Sequence, residues 1–228
     1  MKKLFCFVSI IVLIFVSFSF GQDIAVVYDA SVEDGGGIVV QNPKQLADLI
    51  VEKLEEKKLT AEIVDSDALI EYMNANPKGI YVLAQGTTPG TIFKNQGKND
   101  LVYSWLRDGG IGAMIGDFPF YYYWDKGERI EPAVGGQQSV FGFQVTQAVQ
   151  AEVKPTVLGK QYIPSLKNWT TDRPLGLSVL RQNNFEFESY ADDGTYADPI
   201  AFRTNDMEGW YINFHTSCCG PLYRHMIK

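Results

Sequence analysis

Asp23-Ile-Ala-Val-Val-Tyr-Asp29 holds an unbroken apolar run between two aspartates. A strand with one wet face would alternate polar and apolar side chains, so this run reads as a strand buried on both faces. The residues after it supply the context. Gly35-Gly36-Gly37 is a turn-rich loop, and Asn42-Pro43 offers an N-cap and a first-turn proline, with Gln45 placed for a capping box. Leu46, Leu49, Ile50 and Leu54 then recur at helical spacing, while Glu52, Lys53, Glu55, Glu56 and Lys57 fill the opposite face. A doubly buried strand followed by a helix with one apolar face opens a βαβ unit.

The alternation continues down the chain. Ala61 to Val64 reads as a second strand, Ser66 as the cap of a short helix through Tyr72, and Gly79 to Ala84 (GIYVLA) as a third strand. A helix from Asn99 to Arg107 leads through Gly109-Gly110 into a fourth strand, Ile111 to Ile115. Right-handed crossovers place such helices on both faces of the sheet. The expected class is therefore α/β, a three-layer α/β/α sandwich around a mainly parallel sheet. Farther on, Leu175 to Leu180, Phe185 to Tyr190, Ile200 to Arg203 and Trp210 to Phe214 are strand-like runs, with turns such as Asp192-Asp193-Gly194 between them. They are expected to be partly antiparallel strands extending the same sheet. Residues 125–170, rich in Gly, Gln and Pro, read as an irregular excursion. No internal repeat or low-complexity linker interrupts residues 22–228, so one domain is expected.

Ahead of that domain, Lys2 and Lys3 precede an apolar run from Leu4 to Phe20, and Ser19 and Gly21 put small residues where a signal peptidase cuts. Residues 1–21 are thus expected to be a cleaved signal peptide, leaving an exported periplasmic or extracellular protein with no membrane association. The rival is an uncleaved anchor, because the run reaches the lower limit for spanning a bilayer. Without the two lysines, 18 basic side chains face 27 acidic ones, a net charge of −9 against −7 for the whole chain. No basic stripe is present, which disfavours nucleic-acid partners. At 46% hydrophobic and 21% charged, the composition excludes disordered, collagen-like and coiled-coil chains.

In an open parallel sheet, ligands sit beyond the carboxyl ends of the strands. Those ends carry Asp29, then Gln85-Gly86-Thr87-Thr88, then Gly116-Asp117-Phe118-Pro119, and finally His215-Thr216-Ser217.

Two segments here carry a resemblance. Gly109-Gly110 followed by an apolar strand ending at Gly116-Asp117 resembles the approach to the nucleophile elbow in the class I glutamine amidotransferase-like superfamily, which includes domains related to trehalose-utilisation proteins. Trp210-Tyr-Ile-Asn-Phe214-His215 is similar to the strand that delivers that family's catalytic histidine. The resemblance, over about residues 23 to 120 plus these motifs, implies a flavodoxin-like α/β domain. It also implies a cysteine at the elbow and a glutamate two residues beyond the histidine. Here those positions hold Gly116 or Asp117, and Ser217. With no side chain at Gly116 to activate, glutaminase chemistry is not expected.

Individual residues keep two readings each. Asp117, held by the extended backbone before Pro119, is either a carboxylate aimed into the cleft or one that bonds local amides. His215 is either a site imidazole or a hydrogen-bonded structural one. Phe118-Pro119-Phe120-Tyr121-Tyr122-Tyr123-Trp124 could stack on sugar rings, or fill the core with alternate rings. Cys218 and Cys219 are neighbours, about 3.8 Å apart at Cα, which strains any bond between them. With His215 and His225 they lack the separated pairs of a zinc site, so no metal or other cofactor is expected. Asn168-Trp169-Thr170 fits a glycosylation sequon, and Gly86-Thr87-Thr88-Pro89-Gly90 lacks the P-loop ending.

Three functions follow as expectations. The first is a non-catalytic exported protein binding a small polar ligand such as a carbohydrate through Gln85, Thr87, Asp117, Phe118, Tyr121 and His215. The second is a secreted hydrolase with Asp117 and His215 as its acid/base pair. The third is a structural or interaction module of the cell envelope that presents the aromatic run on a flat face.

Overall fold

The computed structural model describes residues 24–32 and 42–215. The N-terminal segment read as a signal peptide, the Gly35-Gly36-Gly37 loop, and Thr216, Ser217, Cys218, Cys219 and His225 lie outside the described residues. None of the described helices is long and apolar enough to cross a membrane.

The chain is mixed α/β. In order, β1 is Ile24–Val27, α1 Pro43–Glu56, β2 Ala61–Val64, α2 Ser66–Ala75, β3 Ile80–Leu83, β4 Thr88–Pro89, α3 Leu101–Arg107 and β5 Ile111–Gly116. Then come β6 Tyr123–Asp125, β7 Glu128–Ile130, α4 Val134–Phe141, β8 Ala151–Pro155, α5 Val157–Tyr162, β9 Trp169–Thr171 and β10 Leu175–Gly176. The chain closes with α6 Leu177–Gln182, β11 Glu186–Ser189, β12 Ala191–Asp192, β13 Tyr196–Ala197, β14 Ile200–Arg203 and β15 Tyr211–His215.

The main sheet has seven strands in the order β11-β14-β15-β5-β3-β1-β2. Its β2-β1-β3-β5-β15 portion is parallel, and β14 and β11 are added antiparallel. Continuous burial of β1, β3 and β5 follows from apolar packing on both faces. Side chains of β1 alternate between two clusters. Ile24 and Val26 pack with Leu46, Ala47, Ile50 and Leu54 of α1, whereas Ala25 and Val27 pack with α2 and α3. Complete burial of Ile50 and Leu54 contributes about 1.5–3 kcal/mol per side chain.

Several local expectations are corrected. Asn42 precedes α1 in the left-handed region (φ 58°) without a side-chain cap, so the capping box does not form, although Pro43 does open the helix. The cap of α2 is Asp65, whose carboxylate accepts from the amides of Asp67 and Ala68; Ser66 is the first helical residue. A carboxylate there also meets the positive end of the helix dipole. Leu177–Gln182 is helix rather than strand, because Leu177 and Leu180, three apart, both turn inward while Ser178 and Arg181 are exposed.

The later strands do not all extend one sheet. β11, β14 and β15 join the main sheet, whereas β10, β13, β12, β8 and β9 form a separate five-stranded sheet whose pairings are antiparallel. A third, small sheet is β4-β6-β7. Residues 125–170, expected to be irregular, thus contain α4, α5 and strands of both smaller sheets.

Candidate functional site

β5 and β15 run side by side, with His215 in register with Gly116. Gly116 adopts φ 151°, and a Cβ there would come within 2.7 Å of Gly86 Cα, so the strand end and the loop after β3 touch backbone to backbone. Asp117 emerges from this contact only 3% exposed, and His215 is 1% exposed. The two expected site residues therefore sit at the ends of adjacent strands.

Their partners come from elsewhere. Asp172 and Arg173 follow β9, an edge strand of the five-stranded sheet. His215 Nδ1 lies 3.1 Å from Asp172 Oδ1, and Arg173 Nε lies 3.2 Å from Asp117 Oδ1. The geometry thus divides the expected Asp117–His215 couple into two pairs, an Arg173–Asp117 ion pair and the His215 imidazole beside the Asp172 carboxylate. Both contacts are short, but none of the four atoms has an aligned hydrogen bond among the described residues. Beneath them, Asp198 is fully buried; its Oδ1 accepts from the His215 backbone N–H at 3.1 Å, and its Oδ2 accepts from Thr171 Oγ1 at 2.5 Å.

Burial dominates the electrostatics. It lowers the His215 pKa to about 4, against the upward pull of Asp172 and with a smaller downward contribution from Arg173. The imidazole is therefore neutral near pH 7. Burial also raises Asp117, opposed by the Arg173 guanidinium and the Phe118 amide. Asp198 is pushed well above the ordinary carboxylate range by complete burial, despite its bonds from Thr171 and His215. A cluster of perturbed titratable groups at converging strand ends is the usual setting of a functional site.

The aromatic run divides by position. Phe120 is fully buried and packs on Phe93, Phe141 and Tyr211, and Tyr122 is also buried. Phe118 and Tyr121 are half-buried, with ring centroids 5.3 Å apart, and the Arg173 guanidinium sits 5.1 Å from the Phe118 ring centroid. Tyr123 and Trp124 are half-buried too, so no ring of the run is exposed as a flat contact patch would require. Core packing claims some rings, and two flank the Arg173–Asp117 pair.

The remaining expected residues serve differently. Gln85 Oε1 accepts from the Asp29 N–H at 2.6 Å and its Nε2 donates to the Asp29 carbonyl at 2.9 Å, so the amide ties β1 to β3. The Asp29 carboxylate accepts from Ser31 and Ser66; burial would raise its pKa, but these bonds outweigh it and hold it low. Thr87 is buried in the loop after β3, and the hydroxyl of neighbouring Thr88 is buried without a partner among the described residues.

Asp172, Arg173 and Asp198 were not foreseen as site residues, nor was Asn213 of β15, which is fully buried with neither amide atom hydrogen-bonded among the described residues. A charged Asp172-Arg173 pair beside Pro174 was the available signal, but nothing local connects it to strand ends so far along the chain. Among the described residues, no group of three or more His, Cys, Asp and Glu side chains could hold a metal ion. Comparison with known proteins finds no matching family model, no matching curated protein and no matching solved structure.

Proposed function

We propose that this chain is an exported, amidotransferase-like domain of the flavodoxin-like three-layer α/β/α type, whose cleft binds a small polar ligand, a carbohydrate, without glutaminase chemistry. The parallel strand order β2-β1-β3-β5-β15 supports the fold assignment, since the parallel strands taken in chain order follow the flavodoxin-like 2-1-3-4-5 pattern. One observation carries the ligand reading. Among the described residues, buried polar atoms without an aligned hydrogen bond include Asp117 Oδ1, Asp172 Oδ1, Arg173 Nε and His215 Nδ1, which meet in pairs near the ends of β5 and β15, and both amide atoms of Asn213 on β15; the Tyr81, Tyr211 and Thr88 hydroxyls are the others. Native folds pair such atoms, and exceptions concentrate where a ligand or ordered water does the pairing. Donors and acceptors are mixed, and the Phe118 and Tyr121 rings lie beside them. That combination suits a hydroxyl-rich ligand with flat apolar ring faces.

The test is thermal shift and saturation-transfer NMR with glucose, galactose, mannose and their disaccharides. Binding must raise the melting temperature, because the ligand favours the native state. The reading expects at least one hexose to do so and Phe118→Ala or Tyr121→Ala to weaken it. Absence of binding by every sugar, or glutamine hydrolysis abolished by His215→Ala, overturns it.

A second reading, a secreted hydrolase, draws support from the 3.1 Å approach of Asp172 to His215 Nδ1, a carboxylate positioned to orient an imidazole. In that version Asp172 takes the orienting role expected of Asp117. Ester hydrolysis lost in both His215→Asn and Asp172→Asn would favour it over binding alone.

A further inference from the structure

Tyr211, Asn213 and His215 line one face of β15, because side chains two apart on a strand point the same way, about 6.7 Å from each other. Ile212, between them, packs into the cluster on the other face. Asn213 is fully buried, and neither its Oδ1 nor its Nδ2 has a partner among the described residues.

Gln137 provides the contrast. It is equally buried, yet its Oε1 accepts from the amides of Val145 and Thr146, and its Nε2 donates to Thr146 Oγ1 at 2.5 Å. Gln137 shows that a buried carboxamide can be fully satisfied by this fold; the Tyr81 and Tyr211 hydroxyls are also buried without a hydrogen bond among the described residues, but each leaves a single polar atom unpaired, whereas Asn213 leaves two. Asn213 lies between Met114 of β5 and Ile200 of β14 in the sheet register, a setting in which an apolar side chain would be more stable. An unpaired carboxamide at such a place works against stability and is retained where something outside the fold pairs with it.

We propose that Asn213 is a ligand-reading residue that selects a vicinal diol. Oδ1 accepts from one hydroxyl while Nδ2 donates to its neighbour, so both halves of the amide are satisfied together. A cationic ligand would leave Nδ2 unpaired, and an anionic one would leave Oδ1 unpaired, so the carboxamide favours a neutral ligand bearing adjacent donor and acceptor. The assignment rests on the carbohydrate reading above and adds the residue and the chemical feature it recognises.

Asn213→Leu tests it, with glucose, galactose and mannose as probes. The expected result has two parts: the free variant melts about 3 °C or more above the unaltered protein, and the hexose-induced shift seen in the unaltered protein is reduced at least tenfold in apparent affinity. A variant that keeps the full hexose response overturns the role of Asn213 while leaving sugar binding intact. A free variant no more stable than the unaltered protein overturns it as well, because the carboxamide is then satisfied by the fold or by bound water. If no hexose binds the unaltered protein, the carbohydrate reading fails first and takes this one with it. Should the leucine variant not fold, the Asn213 side-chain NH₂ resonances of the 15N-labelled unaltered protein decide the question. They must shift on hexose addition, and unchanged resonances under saturating hexose overturn the proposal.

Discussion

His215 should make this protein lose stability in mild acid by a predictable amount. Its pKa falls from an unfolded value of 6.5 to about 4 in the fold because burial penalises the imidazolium, with Asp172 opposing that penalty. Above pH 6.5 the imidazole is neutral in both states and contributes no pH dependence. Between 6.5 and about 4 the unfolded chain binds a proton that the folded chain does not, so stability falls as the pH is lowered through this window. At 1.36 kcal/mol per pKa unit the whole window is worth about 3 kcal/mol. Urea unfolding followed by tryptophan fluorescence at pH 7.0 and 4.5 measures most of it. His215→Asn is the reference, because its amide occupies the place of Nδ1 facing Asp172 without titrating. Asp117 and Asp198 are raised by burial and titrate with the opposite sign, losing stability as pH rises; like His225, they are common to both proteins and cancel in the difference. The unaltered protein should lose about 2–3 kcal/mol more than the variant between the two pH values. A His215 imidazole titrating near 6.5 by NMR, identified by its absence in His215→Asn, or equal losses in the two proteins, would refute the assignment of a desolvated, neutral His215.

Four further outcomes follow from the same geometry. Asp172→Asn removes the charge that pulls the His215 pKa upward, so NMR titration should find that pKa lower still. Asp198→Asn should be tolerated and gain stability relative to the unaltered protein as pH rises, since it removes a carboxyl that burial forces to stay protonated. Asp198→Ala forfeits the contacts to Thr171 and the His215 amide and should cost about 2–4 kcal/mol in urea unfolding. Gly116→Ala places a Cβ 2.7 Å from Gly86 Cα at φ 151°, and calorimetry should register a loss of about 2–4 kcal/mol unless the β3–β4 loop moves.

The parallel half of the main sheet was legible because its signals are local. Ile24–Val27 and Ile80–Leu83 are uninterrupted apolar runs, and Leu46, Ile50 and Leu54 repeat at helical spacing. Where the reading missed, a neighbouring group prevailed over a plausible local one. Asp65 caps α2 in place of Ser66. Leu177 and Leu180 belong to a helix because their spacing of three outweighs the apolar look of the run, which a closer reading of period would have recovered. β8, β9 and the helices of residues 125–170 escaped because short, weakly patterned segments acquire their structure from partners distant in the chain.

What the amino-acid order determined alone was the alternation of doubly buried strands with one-sided helices, and with it the placement of Asp117 and His215 at strand ends. Periodicity is a property of neighbouring residues, so it survives without any knowledge of the fold. The partners of those two residues were decided only by tertiary structure. Asp172 and Arg173 reach His215 and Asp117 from just beyond β9, an edge strand of the second sheet, and Asp198, two residues before β14, accepts from the His215 amide. A charge pair depends on distance in space, and nothing in the spacing of residues 117, 172, 173, 198 and 215 along the chain encodes that distance.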